Sequence, residues 1–318
     1  MKSLLTIKGS RTLLLTVLFL ITMIGHSSAQ QLLDAYQHLY KADSLVQAGN
    51  YQAAVELDVN GEKILKNSGM LDRDIAGLYI RLKNIKKAND YIKKAVINGV
   101  DIDRLNGNPV IRSYLKSINY NDNTADYLAD RKIYNCNIGN PDQRIEIIQM
   151  HERDQAVRDL IPVLDPKLLN KLVFQVDSAN YDQLKEILKN GRFPGYSEVG
   201  LDGETDLLDL MMHIPIGQIP DKGDFDVLDS MMFKQVQNGN LIPPFYYALI
   251  IDRYSATILH QQVYGTYWEY NRVKKVRVVT KIRDVKNVDK LRRSIFLPPL
   301  ESSRKPGYIL PEDYQFKQ

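Results

Sequence analysis

The chain has 318 residues, 44% of them hydrophobic and 25% charged, with a formal net charge of +4 at pH 7. The length allows two domains, and so weak a net charge gives no reason to expect a nucleic acid or an anionic membrane as partner. Cys136 is the single cysteine, which excludes an intrachain disulfide and a cysteine-cluster metal site.

The first residues, "MKSLLTIKGSRTLLLTVLFLITMIGHSSAQ", carry Lys2, Lys8 and Arg11 and no acid, then an apolar run from Leu13 to Gly25, then Ser27, Ser28 and Ala29. A basic start, a short apolar segment and small residues make the pattern of a secretory signal peptide, expected as residues 1–29 with cleavage after Ala29. The run is shorter than the ~20 residues a helix needs to cross a bilayer, and Gln30 stands where a lipoprotein needs cysteine. The expectation is export to the periplasm or beyond, with no stable membrane insertion. In that oxidising compartment the thiol of "YNCNIGN", with no histidine beside it, is expected to be inert.

Residues 30–117 repeat apolar or alanine positions at three and four, the spacing of amphipathic helices. Asn50, Tyr51 and Ala54 correspond to Asn84, Ile85 and Ala88, each 34 positions later, and that is the tetratricopeptide period. The region resembles two tetratricopeptide-like helical hairpins, without the repeat's tryptophan, and the helix around "NPVIRSYLKS" is expected to cap them. Residues 118–142, rich in Asn, Asp and Tyr, read as a connector with one short helix.

Helical patterns follow at 143–161, 166–189, 204–213, 224–238 and 243–252. "SATILHQQVYGTYWEY" and "KKVRVVTKI" then read as strands; in the second, Val276, Val278, Thr280 and Ile282 share one face and Arg277, Lys281 and Arg283 the other. Residues 143–300 therefore form the second domain, and 301–318, punctuated by proline, an extended surface tail. The predicted fold class is mainly α (α+β): a helical-repeat-like N-terminal region plus a helical C-terminal domain with a small antiparallel sheet.

Within "HERDQAVRDL" the helical seam Ile147, Met150, Val157, Ile161 has an acid, Asp154, at its missing position. A buried carboxylate needs donors, and Arg158, His151 and Gln155 are the nearest in sequence. The alternatives are a structural network, a helix rotated so that Asp154 reaches water, and a binding or catalytic pocket. His213 closes "LLDLMMHIP", with Asp206 and Asp209 before it on one stripe. The three could hold a metal or orient a base, or His213 could simply meet the helix dipole. Asp252 and Arg253 read as an ion pair at a helix exit. Tyr264, Tyr267 and Trp268 flank Gly265 and form either an aromatic cleft or cross-strand pairs. No P-loop, dinucleotide fingerprint, zinc-protease, nucleophile-elbow or calcium-loop pattern occurs, and no cofactor is expected.

"RDQAVR", "DSANYDQLKEILKNGRFPGYSEVG", the helix-end His213, "IIDRYSATILHQQVYGT" and "NVDKLRRSIFLPPL" together resemble the bacterial domain-of-unknown-function family six-six-two-four, over residues 146–300. Positions matching that family's pattern are Asp154, Gln155 and Arg158; Asp177 and Asn180; Gly191 and Pro194; His213; Asp252 and Arg253; and Gln262, Tyr264, Gly265 and Thr266. Leu259 and Tyr267 depart from it. The resemblance implies one polar set drawn from five segments and names no activity.

The first functional expectation is a binding or scaffold module for a protein or peptide, using the helical repeats and a polar pocket of Asp154, Gln155, Arg158, Asn180, His213, Asp252, Arg253, Gln262 and Tyr264. The rival is a hydrolase of cell-wall or peptide-like substrates with His213 or Asp154 as general base and Arg158 or Arg253 steadying an anion.

Overall fold

The computed structural model describes residues 29–65, 68–215, 222–240, 243–303 and 307–315. Apart from Ala29, the expected signal peptide lies outside the described residues. The chain is mainly α with a small sheet. Among the described residues no helix is long and apolar enough to cross a membrane.

Helix α1 spans 29–47. It is followed by α2 (Tyr51–Glu62), α3 (Gly69–Arg81), α4 (Ile85–Ile97), α5 (Ile102–Asn106), α6 (Pro109–Ser117) and α7 (Ala125–Cys136). The 34-residue correspondence has a local cause. Asn50 caps α2 by accepting from the Ala53 amide, and Asn84 caps α4 by accepting from Lys87. The turns before them share one pattern: the amides of Asn50 and Asn84 donate to Leu45 and Tyr79 carbonyls, and Gly49 and Lys83 both take positive φ. Ala54 and Ala88 are both buried where the helices meet.

The larger helices are α8 (Pro141–Arg158), α9 (Pro166–Leu188), α10 (Tyr196–His213), α11 (Lys222–Gln237) and α12 (Pro244–Leu259). Asn140-Pro141 and Asp165-Pro166 start α8 and α9: the side chain accepts first-turn amides while the proline supplies a preset φ and no spare donor. Helix α10 begins earlier than its pattern predicts because Gly200, at φ 73°, breaks the periodicity with a kink inside it. Its Cβ position would fall 2.0 Å from the Tyr134 hydroxyl, so only glycine fits.

Helix α12 runs on through Asp252 and Arg253, which the sequence placed at a helix exit, into residues read there as strand. Tyr254 and Ser255 are buried on its packed face, and this tertiary burial overrides their strand preference. The sheet comprises β1 (Trp268–Asn271), β2 (Val276–Val279) and β3 (Tyr308–Ile309). β1 and β2 are antiparallel, but β3, from the tail expected to be extended, pairs with β2 in parallel and makes the sheet mixed. A short helix, α13 (Val288–Ser294), precedes β3.

One apolar core joins the two ends of the chain. Leu32, Ala35 and Tyr36 of α1 belong to the same buried cluster as Leu207, Met211, Tyr247, Ile251 and Phe296. Through it α8 and α10 run side by side in the same direction, because residues 144, 151 and 154 pair in that order with 202, 206 and 213. Helix α9 returns along α8, antiparallel to it.

Candidate functional site

Polar pairs line the parallel α8/α10 contact from end to end. At the start, Arg144 grips Asp202 through two nitrogens and the Tyr134 hydroxyl donates to the same carboxylate at 2.7 Å. Burial alone would push Asp202 up, but the Arg144 and Tyr134 bonds hold it below the usual carboxylate range. Further along, His151 Nδ1 lies 3.2 Å from Asp206 and Nε2 3.6 Å from Asp209. The Asp209 contact raises the imidazole, and burial pushes Asp206 up to about 6.

At the far end sits Asp154, 0% exposed. One carboxylate oxygen accepts from Gln155 Nε2 at 2.8 Å and from His213 Nδ1 at 2.9 Å, and the other accepts from Arg158. An ionised carboxylate there fixes the proton of His213 on Nδ1. Arg158 also donates to both oxygens of Asp177 on α9, at 3.0 and 3.2 Å. Burial opposes charge on Asp154, but His213 and Arg158 outweigh it and lower its pKa, while burial raises that of Asp177. Asn180 ties α9 to α8 by donating to the Met150 carbonyl at 3.2 Å and accepting from Arg153 at 3.3 Å. The apolar seam stops short of its predicted end: α8 closes at Arg158, and Ile161 beyond it is 59% exposed.

Asp252, also 0% exposed, forms a second centre. Its oxygens accept from the amides of Val263 (2.7 Å), Tyr264 (2.8 Å) and Thr266 (2.7 Å) and from the Thr266 hydroxyl (2.7 Å). Gln262 closes the same loop, accepting from the Tyr267 amide at 2.7 Å and donating to the Tyr267 carbonyl at 3.0 Å and the Thr280 carbonyl at 3.1 Å. Arg292, 2% exposed, clamps it from behind by donating to the Tyr264 and Pro298 carbonyls. Gly265 takes φ 72° in this turn, and a Cβ there would come within 2.8 Å of Ile282.

The polar set expected to converge thus divides. Asp154, Gln155, Arg158, Asn180 and His213 gather at the α8/α9/α10 junction. Asp252, Gln262 and the Tyr264 backbone gather in the loop after α12. Arg253 does not pair with Asp252; it turns the other way and donates to the Met211 and Ile214 carbonyls, satisfying the end of α10. Tyr264 is buried against Tyr247, with the hydroxyls 3.4 Å apart, and Tyr247 donates to Asp229 at 2.5 Å. Trp268 packs on Tyr308 with centroids 4.6 Å apart, so Tyr264 and Trp268 each pair with an aromatic ring of another segment.

The metal set Asp206, Asp209, His213 is corrected. Residues seven apart on one stripe are two turns, ~10 Å, apart along the axis and cannot close on one ion. His151 occupies Asp206 and Asp209, Asp154 occupies His213, and among the described residues no cluster of three or more His, Cys, Asp or Glu could hold a metal.

Sequence reasoning missed His151 as the partner of Asp206, and it missed Arg292. The latter carried a signal: Val288, Leu291, Arg292 and Ile295 stand at offsets 0, 3, 4 and 7, so a cation occupies an apolar stripe as Asp154 does in α8. Comparison of the chain with protein-family models, curated proteins and solved structures finds no match.

Proposed function

We propose that the chain is an exported binding or scaffold module whose N-terminal tetratricopeptide-like helices and C-terminal domain present surfaces to a protein or peptide. One observation carries this reading: the carboxylate a hydrolase would use as base, Asp154, has its oxygens filled by three side chains of the chain itself, and the other fully buried acid of the polar set, Asp252, has its own filled by four groups of one loop. Groups so saturated hold helices and loops in register. The leader-like sequence of residues 1–29 supports export.

The second reading, a hydrolase of peptide or cell-wall material, is favoured by His213. Its ring is 30% exposed, Nδ1 is held by a buried carboxylate, and Nε2 has no partner among the described residues. That is how a general base is oriented. Asp154→Asn, His213→Gln and Asp252→Asn, made singly, separate the two. A module loses melting temperature in the Asp154 and Asp252 variants and shows no turnover of peptide or cell-wall fragments even as wild type. An enzyme loses turnover in the His213 variant while its melting temperature holds.

A further inference from the structure

The groove between α1 and the turn after α13 belongs to neither buried centre. It encloses about 740 Å³. Leu33 and Tyr40 of α1 face Phe296 and Leu297 across it, and Lys41, Lys290 and Arg293 stand exposed around it. None of these three cations has an ion pair or side-chain hydrogen bond within the described residues. The one acid among the lining residues, Asp289, is already engaged, accepting from the Leu300 amide and the Tyr314 hydroxyl at 2.8 Å each. The lining thus sets three cations against the one carboxylate, with Asp43 acting on Tyr40 from beside it, and the balance over the apolar surface is positive.

The groove is also preset. The Tyr40 hydroxyl donates to the Phe296 carbonyl at 3.0 Å, and the Phe296 ring stacks on Tyr36 with centroids 5.5 Å apart and planes 5° from parallel. Phe296 ends α13 at φ 62°, in the same hydrogen-bonded turn that Gly49, Gly99 and Gly239 form elsewhere. A bulky residue in the left-handed region is strained, and the stack and the tyrosine bond keep it there. Both walls are therefore fixed before anything binds.

We propose that this groove binds an acidic segment of a partner protein, with apolar side chains on the partly exposed Leu33, Tyr40, Pro298 and Pro299, above the buried Phe296 and Leu297, and carboxylates toward Lys41, Lys290 and Arg293. The chain's own undescribed terminal pieces carry the wrong charge: residues 1–28 hold Lys2, Lys8 and Arg11 with no acid, residues 304–306 hold Arg304 and Lys305, and residues 316–318 hold Lys317. The proposal rests on the binding-module reading and supplies its partner chemistry.

The test is fluorescence anisotropy on the whole chain with two labelled peptides, one alternating Glu with Leu and one alternating Lys with Leu. The acidic peptide binds, more weakly as salt rises; each of Lys41→Glu, Lys290→Glu and Arg293→Glu weakens it about tenfold, and the lysine peptide does not bind. Circular dichroism checks that these surface variants stay folded. No binding of the acidic peptide, equal binding of both peptides, or unchanged affinity in the triple variant overturns the groove. A dimer that the triple variant dissolves assigns the surface to a second copy and also overturns it. Failure of the module reading is read separately, from turnover lost at constant melting temperature in the His213 variant.

Discussion

Asp154 and Asp252 are the same residue type at the same complete burial, yet the protein moves their pKa values in opposite directions. Asp252 is held by neutral donors, three backbone amides and a hydroxyl from residues 263–266; burial wins and the pKa rises. Asp154 is held by an arginine, a histidine and an amide side chain reaching it from α8 and α10; charge wins and the pKa falls. Hydrogen bonds from neutral donors order a loop but, with Arg292 acting on Asp252 only from behind that loop, do not repay the loss of water around the anion. The difference separates a loop anchor from an electrostatic hub, and only the hub leaves an imidazole ring partly exposed.

The comparison breaks most visibly at Asp252. Asp252→Ala strands three buried amides and the Thr266 hydroxyl, and the expected cost is ~4 kcal/mol of unfolding free energy in urea titration. A loss below ~1 kcal/mol would mean that water replaces the carboxylate and that the loop is not anchored there. At the hub the matching change is Arg158→Met, which leaves Asp154 and Asp177 facing each other without their shared cation. We expect a loss of ~3 kcal/mol. A double-mutant cycle with Asp154→Asn should return a coupling of ~1–3 kcal/mol, because most of the arginine's effect passes through that one acid.

The two centres were unequally legible in the sequence. Asp154 could be found because an amphipathic stripe predicts which side of α8 is buried, and the same rule points to Arg292 in α13. The partners could not be found that way. That His151 takes Asp206 and Asp209, leaving His213 for Asp154, follows from α8 and α10 running in parallel, and periodicity says nothing about relative direction. Asp252 was legible as an unusual acid but not as part of a helix interior, because Tyr254, Ser255, Thr257 and Ile258 carry strand-like side chains. The third strand escaped for a different reason: Tyr308 and Ile309 are too short a run to show any period.

A smaller effect distinguishes the groups collectively by pH. Asp58 and Asp72 are pushed by burial to about 7 and about 6, Asp206 to about 6, and Asp177 and Asp252 are raised as well. The folded chain holds protons on these groups that the unfolded chain has released, so they make stability fall as pH rises from about 4 to about 7. His151 is raised too, and its contribution, complete below its ordinary 6.5, is lost as pH climbs above that value. Asp154, Asp202 and Glu198 lie below their ordinary values and act at the other end, their contribution disappearing as pH falls through the acid range. Both limbs place the highest melting temperature at about pH 4, where the acid limb is almost complete and the neutral limb has barely begun. A maximum at or above neutrality in a calorimetric series would show that the raised carboxylates are better solvated than their burial implies. Asp206→Asn should flatten the neutral limb and leave the acid limb alone.

The smallest expected change is at His213, and it sharpens the comparison most. The ring is partly exposed and supplies one of three donors to Asp154, so His213→Gln, whose amide can still reach the carboxylate, should cost no more than ~1 kcal/mol. His213→Leu removes the donor and should cost more, ~1–2 kcal/mol, because Asp154 then relies on Arg158 and Gln155 alone. If the imidazole serves only the hub, stability should follow the presence of a donor at residue 213 and be indifferent to which residue provides it. A glutamine variant as damaging as the leucine one would mean that the charge of the ring, and not merely its N–H, balances the acid.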